Sequence, residues 1–170
     1  IDFNCKKLTY PDIKLVYWAG GNPFHHHPGT NEMKKAFEKL DTFIVQDCFW
    51  TASARMADIV LPATTEQERN DITKIHTNKA IIAMHKIAEP YGEAKNDYEI
   101  YTGILKRFGE KEANAFTEGK SEMEWIKFFY ETSKKKADAS KLKMPNFDEF
   151  WRVGYAKFEV PQSAKEFVKM

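Results

Sequence analysis

Long hydrophobic runs are missing from this chain: no apolar stretch approaches the roughly 20 residues needed to cross a bilayer. An excess of charge is missing too. Lys and Arg total 26 against 25 for Asp and Glu, a net charge of +1. That balance gives no basis for a nucleic acid or an anionic membrane as partner. Cysteine is scarce, with only Cys5 and Cys48, far apart and outside any CxxC pattern. A structural zinc site or an iron–sulfur cluster built from this segment is thereby disfavoured. The GxGxxG fingerprint is absent, which argues against an ordinary nicotinamide site. No Ser-His-Asp or Cys-His arrangement stands out either. The sequence starts at Ile1 with no initiator Met, and it contains no signal-like segment. The expectation is an excised or processed piece, with any targeting sequence upstream.

What is present is material for a core. Thirteen Phe, seven Tyr and four Trp in 170 residues suit one domain of ordinary size, or a domain with an appendage. Ile13 to Trp18 is a short apolar run closed by Gly20-Gly21-Asn22-Pro23, which predicts a buried strand ending in a turn. Thr30 or Asn31 is expected to cap a helix whose Met33, Phe37 and Leu40 share one face. Thr42 to Val45 predicts a second strand, Thr51 to Ala57 a short helix, and Asp58 to Leu61 a third strand stopped by Pro62. Short links between these elements imply right-handed crossovers and a parallel sheet. The fold class is therefore α/β: a Rossmann-like parallel sheet with flanking helices.

Ala80 to Met84 suggests a further strand, and beyond Gly92 the pattern becomes helical. Asn96 with Glu99 and Ser121 with Glu124 have capping-box spacing, as does Asn146 with Glu149. Ile100, Ile104 and Phe108 form a stripe up to Gly109, read as a C-terminal cap. Trp125, Phe129 and Trp151 fall at helical spacing and are expected in a core. Ser133 to Lys143 is lysine-rich and expected to be solvated, and the chain is expected to end irregularly. The division anticipated is an α/β part over residues 1–95 and a mostly helical extension over 96–170 packed on it.

Ligands of open parallel sheets bind beyond the carboxyl ends of the strands. After the first strand, Gly20, Gly21 and Asn22 let backbone amides approach a phosphate, although such a triplet is also an ordinary turn. After the second come Gln46 and Asp47, a carboxylate placed for a ribose hydroxyl or base edge, or else a helix cap. After the third, Glu68, Arg69 and Asp71 form either a salt-bridged surface or an arginine clamp for phosphate. His25-His26-His27 resembles a metal cluster, but consecutive loop residues point in different directions and no carboxylate or Cys sits at ligand spacing. A phosphate or sugar contact from one of them, or a plain surface loop, is the better reading. His76 and His85 show no partner in sequence.

Three blocks now carry a specific likeness. Tyr17-Trp18-Ala19-Gly20-Gly21-Asn22-Pro23-Phe24-His25-His26-His27 is the first. Phe43-Ile44-Val45-Gln46-Asp47-Cys48-Phe49-Trp50-Thr51-Ala52 is the second. Ala57-Asp58-Ile59-Val60-Leu61-Pro62-Ala63 with Glu68-Arg69-Asn70-Asp71 is the third. Together they resemble the dimethyl sulfoxide reductase family of molybdenum enzymes, in particular the branch reducing trimethylamine N-oxide, dimethyl sulfoxide and biotin sulfoxide. The likeness continues through Asn78 to Met84, which leans toward trimethylamine N-oxide reductases, then Glu89-Pro90, Glu93 to Tyr98 and Phe116 to Gly119. It fades only near the C-terminus.

The resemblance implies a fragment of a larger multidomain oxidoreductase carrying bis-molybdopterin guanine dinucleotide with molybdenum. This segment would hold one guanosine end. Asn22 and His26 would contact the dinucleotide, Gln46 and Asp47 would read ribose and guanine, and Arg69 and Asp97 would add polar contacts. Without the resemblance, Asp97 reads only as an acidic residue favoured in a helix's first turn. The family's molybdenum-ligating serine finds no match in Ser53, Ser121, Ser133 or Ser140, so the segment alone is expected to be inert. Implied partners are an N-oxide or S-oxide substrate, an electron donor such as a c-type cytochrome, and the parent chain's remaining domains. The implied location is the periplasm, or the cytoplasm for a biotin sulfoxide reductase. The rival from another class is a non-catalytic α/β nucleotide-binding or interaction module.

Overall fold

The computed structural model describes residues 2–74 and 80–157. His76, Asn78 and Lys79 lie outside the described residues, so the part of the likeness that rests on them has no structural counterpart here. The chain divides into two compact units, Ile1–Ala63 and Thr64–Met170. Residues 64–95, grouped by the sequence reading with the α/β part, lie in the second compact unit.

Unit 1 opens with a hairpin of β1 (Asp2–Phe3) and β2 (Lys6–Lys7). Next come β3 (Leu15–Ala19), α1 (Pro23–His26), α2 (Thr30–Phe37), β4 (Thr42–Asp47), α3 (Ala52–Met56) and β5 (Ile59–Pro62). The three longer strands form one parallel sheet in the order β3-β4-β5. β4 is central and carries the apolar alternation that fills the core: Phe43 and Val45 are buried. Val16, Trp18, Phe24, Phe37, Leu40 and Val60 pack on them and on Ala54. Phe24, Phe37 and Phe43 meet edge-on or tilted, at 4.6 to 6.2 Å between centroids. Pro62 ends an edge strand, where its missing N–H removes no ladder bond.

Two local expectations are corrected in this unit. Neither Thr30 nor Asn31 caps α2. The N-cap is Gly29, in the left-handed region at φ +71°, with no side-chain cap bond. Asp58 is not in the third strand; its Oδ2 accepts from Phe43 N at 2.7 Å, pinning the entry to β5 against β4.

Unit 2 begins with a 3-10 turn at Glu66–Glu68 and then β6 (Asp71–Thr73) and β7 (Ala80–Met84). Four helices follow: α4 (Asp97–Phe108), α5 (Glu110–Thr117), α6 (Glu122–Ala139) and α7 (Phe147–Val153). After them comes β8 (Tyr155–Lys157), which pairs with β7 in an antiparallel sheet ordered β6-β7-β8. Asn96, Ser121 and Asn146 cap α4, α6 and α7 as their spacing predicts, the first two as full capping boxes. Gly109 ends α4 and also begins α5, a helix the sequence reading passed over.

The core of this unit is aromatic. Tyr130 and Phe150 are fully buried and stack at 4.1 Å, with Ile81, Ile126, Phe147 and Ala156 around them. The lysine-rich segment is not simply solvated: α6 runs through it to Ala139, burying Ala137. Trp151 packs against this core, whereas Phe129 is 53% exposed, against its expected burial, and Phe108, of the stripe read on α4, is 76% exposed. Nor is the described chain irregular after α7, since β8 adds a third strand to the sheet.

Candidate functional site

In unit 1 the parallel strands aim their carboxyl ends at one rim. At the end of β3, Gly20 and Gly21 take left-handed φ values of +78° and +73°, which a side chain would strain. Among the described residues the space over them is open: no heavy atom beyond the chain neighbours lies within 4 Å of a Cβ built on Gly20, and Trp18 Nε1, at 3.9 Å, is the one that approaches a Cβ on Gly21.

Asn22 follows, and its Oδ1 accepts from the backbone N–H of Ser53 at 3.3 Å and from the Ser53 hydroxyl. Ser53 is fully buried, and its Oγ also accepts from Phe24 N at 3.3 Å. The loop after β3 is thus stitched to the first turn of α3. His26 stands exposed on α1, its ring 5.3 Å from that of His25.

At the end of β4, the neighbouring residues Gln46 and Asp47 behave differently. Gln46 is buried and its Oε1 accepts from the Tyr17 hydroxyl. Asp47 is half-buried. Its Oδ1 accepts from Phe49 N at 3.2 Å and its Oδ2 from the Thr51 hydroxyl at 2.9 Å. Thr51, in turn, caps α3 by accepting from Ala54 N at 3.3 Å. The helix-cap reading of Asp47 is therefore present one step removed: it braces the cap and is not the cap itself. Each carboxylate oxygen has a second lone pair, so these bonds do not exhaust its capacity to accept. Asn22, Gln46 and Asp47 share this end of the sheet. A separate groove of about 460 Å³, lined by α2 and α3, carries Lys34, Arg55 and the exposed Trp50.

In unit 2, Arg69 and Asp97 line a single cleft of about 430 Å³. Arg69 lies just before β6, its guanidinium held by Nη1 on the Thr64 carbonyl at 2.9 Å and Nε on Asp71 Oδ2 at 3.4 Å. Of the two readings left open for this run, the ion pair with Asp71 is formed, and the arginine still faces the cleft. Asp97 is the first residue of α4 and is exposed; its carboxylate, after burial, is the second cause raising the Tyr101 phenol's pKa.

The cleft's other walls come from residues far along the chain: Tyr98, Phe116, Trp125 and Phe129 supply ring faces, and Glu122 supplies a further carboxylate. Burial, aided by Glu99 and Asp71, pushes the Glu122 carboxyl above the usual range, against the opposing pull of Arg69 and the Asn96 amide. Sequence reasoning missed Glu122, which lies between the capping residues Ser121 and Glu124. Its meeting with Asn96, across 26 residues, has no periodic signature.

A family model described as Molybdopterin oxidoreductase matches residues 3–107, taking in all but the first two residues of unit 1, the β6-β7 segment and most of α4. The chain belongs to the molybdopterin oxidoreductase family. Within the family it is 52% identical over 164 residues to "Dimethyl sulfoxide/trimethylamine N-oxide reductase" of Cereibacter sphaeroides, 95% of this chain and 20% of that one. It is 48% identical over 172 residues to "Trimethylamine-N-oxide reductase" of Haemophilus influenzae, 99% of this chain and 21% of that one. It is also 46% identical over 148 residues to "Biotin sulfoxide reductase" of Cereibacter sphaeroides, 86% of this chain and 20% of that one. This chain thus spans about a fifth of the length of these curated relatives. Among solved structures, "Acetylene Hydratase from Pelobacter acetylenicus" superposes with a TM-score of 0.64 over 87% of this chain and 19% of that one, at 21% identity. That likeness establishes the mixed α/β fold.

Proposed function

We propose that this chain is the nucleotide-gripping segment of a molybdenum-dependent N-oxide and S-oxide reductase, acting on trimethylamine N-oxide by preference, with dimethyl sulfoxide or biotin sulfoxide as the alternative substrates. The observation that carries this reading is the 52% identity to a dimethyl sulfoxide/trimethylamine N-oxide reductase over 95% of the chain, on a segment whose strand ends present Gly20, Gly21, Asn22 and Asp47 together. The parallel arrangement of β3, β4 and β5, which we read as Rossmann-like, supports a nucleotide at this rim, because parallel strands leave their ligand crevice there.

The residues fit a guanosine and its pyrophosphate. Left-handed glycines with open space above them let backbone N–H groups approach phosphate oxygens. Asn22 and His26 would contact the dinucleotide from the same loop. Gln46 and Asp47 would hold ribose and base, and an aspartate suits guanine because a carboxylate accepts from neighbouring N–H donors. In unit 2, Arg69 and Asp97 would add an anion contact and a further acceptor beside aromatic faces, in a cleft of a size usual for small ligands. Residues 1–95 would carry most of these contacts and 96–170 the remainder.

When bound, bis-molybdopterin guanine dinucleotide with molybdenum supplies two-electron oxygen-atom transfer, and the protein supplies binding and orientation. The role of this segment is to anchor the distal end of a long cofactor so that its reactive end is held still. The rest of the parent chain would bring the substrate funnel and the metal ligand. A c-type cytochrome would donate electrons in the periplasm. Among the described residues, no helix is long and apolar enough to cross a membrane. A twin-arginine signal in the upstream coding sequence would support export.

The test is Asp47→Ala in the full-length parent, with guanine nucleotide and molybdenum measured per chain. A fall of roughly 10-fold in both is expected, the scale seen when a group supporting a metal centre is lost. Unchanged loading would remove Asp47 from the site.

A further inference from the structure

We propose that the groove between α2 and α3 is a docking surface for a carboxylate-bearing segment of the parent chain that lies outside residues 1–170. None of the residues read as nucleotide contacts lines it.

The groove offers apolar surface to solvent. Trp50 is 64% exposed and Met56 41% exposed, and both line it beside Phe24 of α1. Phe49, next to Trp50 in sequence, is exposed as well. An apolar patch of this kind marks a surface that another element covers. Trp, Met and Arg are also the side chains enriched at protein interfaces, and Arg55 completes that set here.

Charge says what the cover carries. Lys34 from α2 and Arg55 from α3 line the groove, and no acidic residue does. Among the described residues neither cation forms an ion pair. The one carboxylate within α2, Glu32, pairs with Lys35 at 3.5 Å, and α3 contains no acid. An uncharged cover would withdraw both cations from water unpaired, which is costly. A carboxylate removes that cost, and the planar guanidinium of Arg55 can hold one bidentately. Thr30 and Asn31 open α2 at the groove, and α2 has no side-chain cap bond, so its first N–H groups favour an acceptor there too.

The parent chain is the nearest supplier of such a cover. This segment spans about a fifth of the length of its curated relatives, so in a parent of their length some four fifths of the residues lie outside it. A tethered segment meets the groove at a high effective concentration, whereas a separate protein must reach it by diffusion.

The experiment uses the full-length parent as purified. A carbodiimide joins a lysine amine to a carboxylate only where the two touch, and peptide mass spectrometry then identifies the pair. Lys34 is expected to couple to an Asp or Glu outside residues 1–170 of the same chain, with a yield that dilution leaves unchanged. Arg55→Lys places a second amine in the groove and should couple to the same segment. Hydroxyl-radical oxidation of Trp50 and Met56 gives a second reading. Reversing both charges, Lys34→Glu with Arg55→Glu, should raise that oxidation roughly 10-fold or more, because like charges set against each other drive the surfaces apart. Replacing the coupled carboxylate with Lys in that variant should restore protection. The crosslink is read on the unaltered parent, so a double variant that fails to fold leaves the proposal testable. Coupling of Lys34 solely within residues 1–170, to a second copy or to another protein overturns it. So does a Trp50 that oxidises as fast in the parent as in the double variant. Protection of Trp50 with no acidic partner for either amine overturns it as well, since the cover is then uncharged.

Discussion

Asn22 shows how one side chain serves structure and site at once. Its Oδ1 is the acceptor for two donors of Ser53, a residue with no exposed surface. Removing the acceptor strands a buried N–H and a buried hydroxyl, each of which costs about 1–3 kcal/mol when unpaired. Asn22→Ala should therefore destabilise the protein by at least about 1 kcal/mol, measured by urea unfolding, whether or not nucleotide is present. Asn22→Asp retains an oxygen in place and should recover most of that loss. If Asn22→Ala unfolds at the parent's urea concentration, the stitch between the β3 loop and α3 is not holding the rim together.

The same duality explains why the site residues were only partly readable. Asp47 was recognisable as a carboxylate at a strand end, but its bracing of Thr51 depends on the turn through Phe49. Gln46 was equally visible, yet the burial of its side chain beside Tyr17 follows from the register of two strands 29 residues apart.

Among the elements, helix boundaries were legible where a side chain caps them. Asn96, Ser121 and Asn146 announce α4, α6 and α7 because a cap is a contact between residues three apart, inside the window a sequence displays. The short strands β6 and β8 were not legible. Three residues carry no periodicity, and each is a strand only because β7 lies beside it.

Gly109 is the element-level position most open to test. It joins α4 to α5 at φ +153° and ψ +156°, a region essentially restricted to glycine. A Cβ there would lie 2.5 Å from Glu112 Oε2, the mobile end of a side chain, so the backbone angle and not the clash sets the penalty. Gly109→Ala is expected to cost about 1–3 kcal/mol in denaturant unfolding. A neutral result would mean that the two helices can merge or rearrange around the junction.

At the scale of the molecule, the described residues form one hydrophobic core in each unit, and the larger core contains a titratable group. The Tyr130 hydroxyl donates to the Pro145 carbonyl at 2.9 Å from a fully buried ring. Burial chiefly, then the carboxylates of Glu131 and Glu149, push this phenol up to about 12. An unfolded tyrosine titrates near 10. A phenol held above its unfolded value stabilises the fold fully below about pH 10 and loses that contribution as pH rises toward its folded pKa. Thermal stability should therefore fall between about pH 10 and about pH 12. Tyr130→Phe should flatten that decline, while losing about 1 kcal/mol at neutral pH with the bond to Pro145. An identical alkaline slope in the variant would assign the effect to other groups.

By itself, the sequence determined the family, the parallel α/β beginning, the capped helices and the residue types offered at each strand end. All of these reside in short-range patterns or ordered motifs. Tertiary structure alone decided that Arg69 and Asp97 share a cleft, that Glu122 ties α4 to α6, and that residues 64–95 belong to the second compact unit. The reason is physical. Hydrogen-bond reach and packing are set by distance in space, and partners separated by 20 to 30 residues leave no mark on local spacing until the chain has folded.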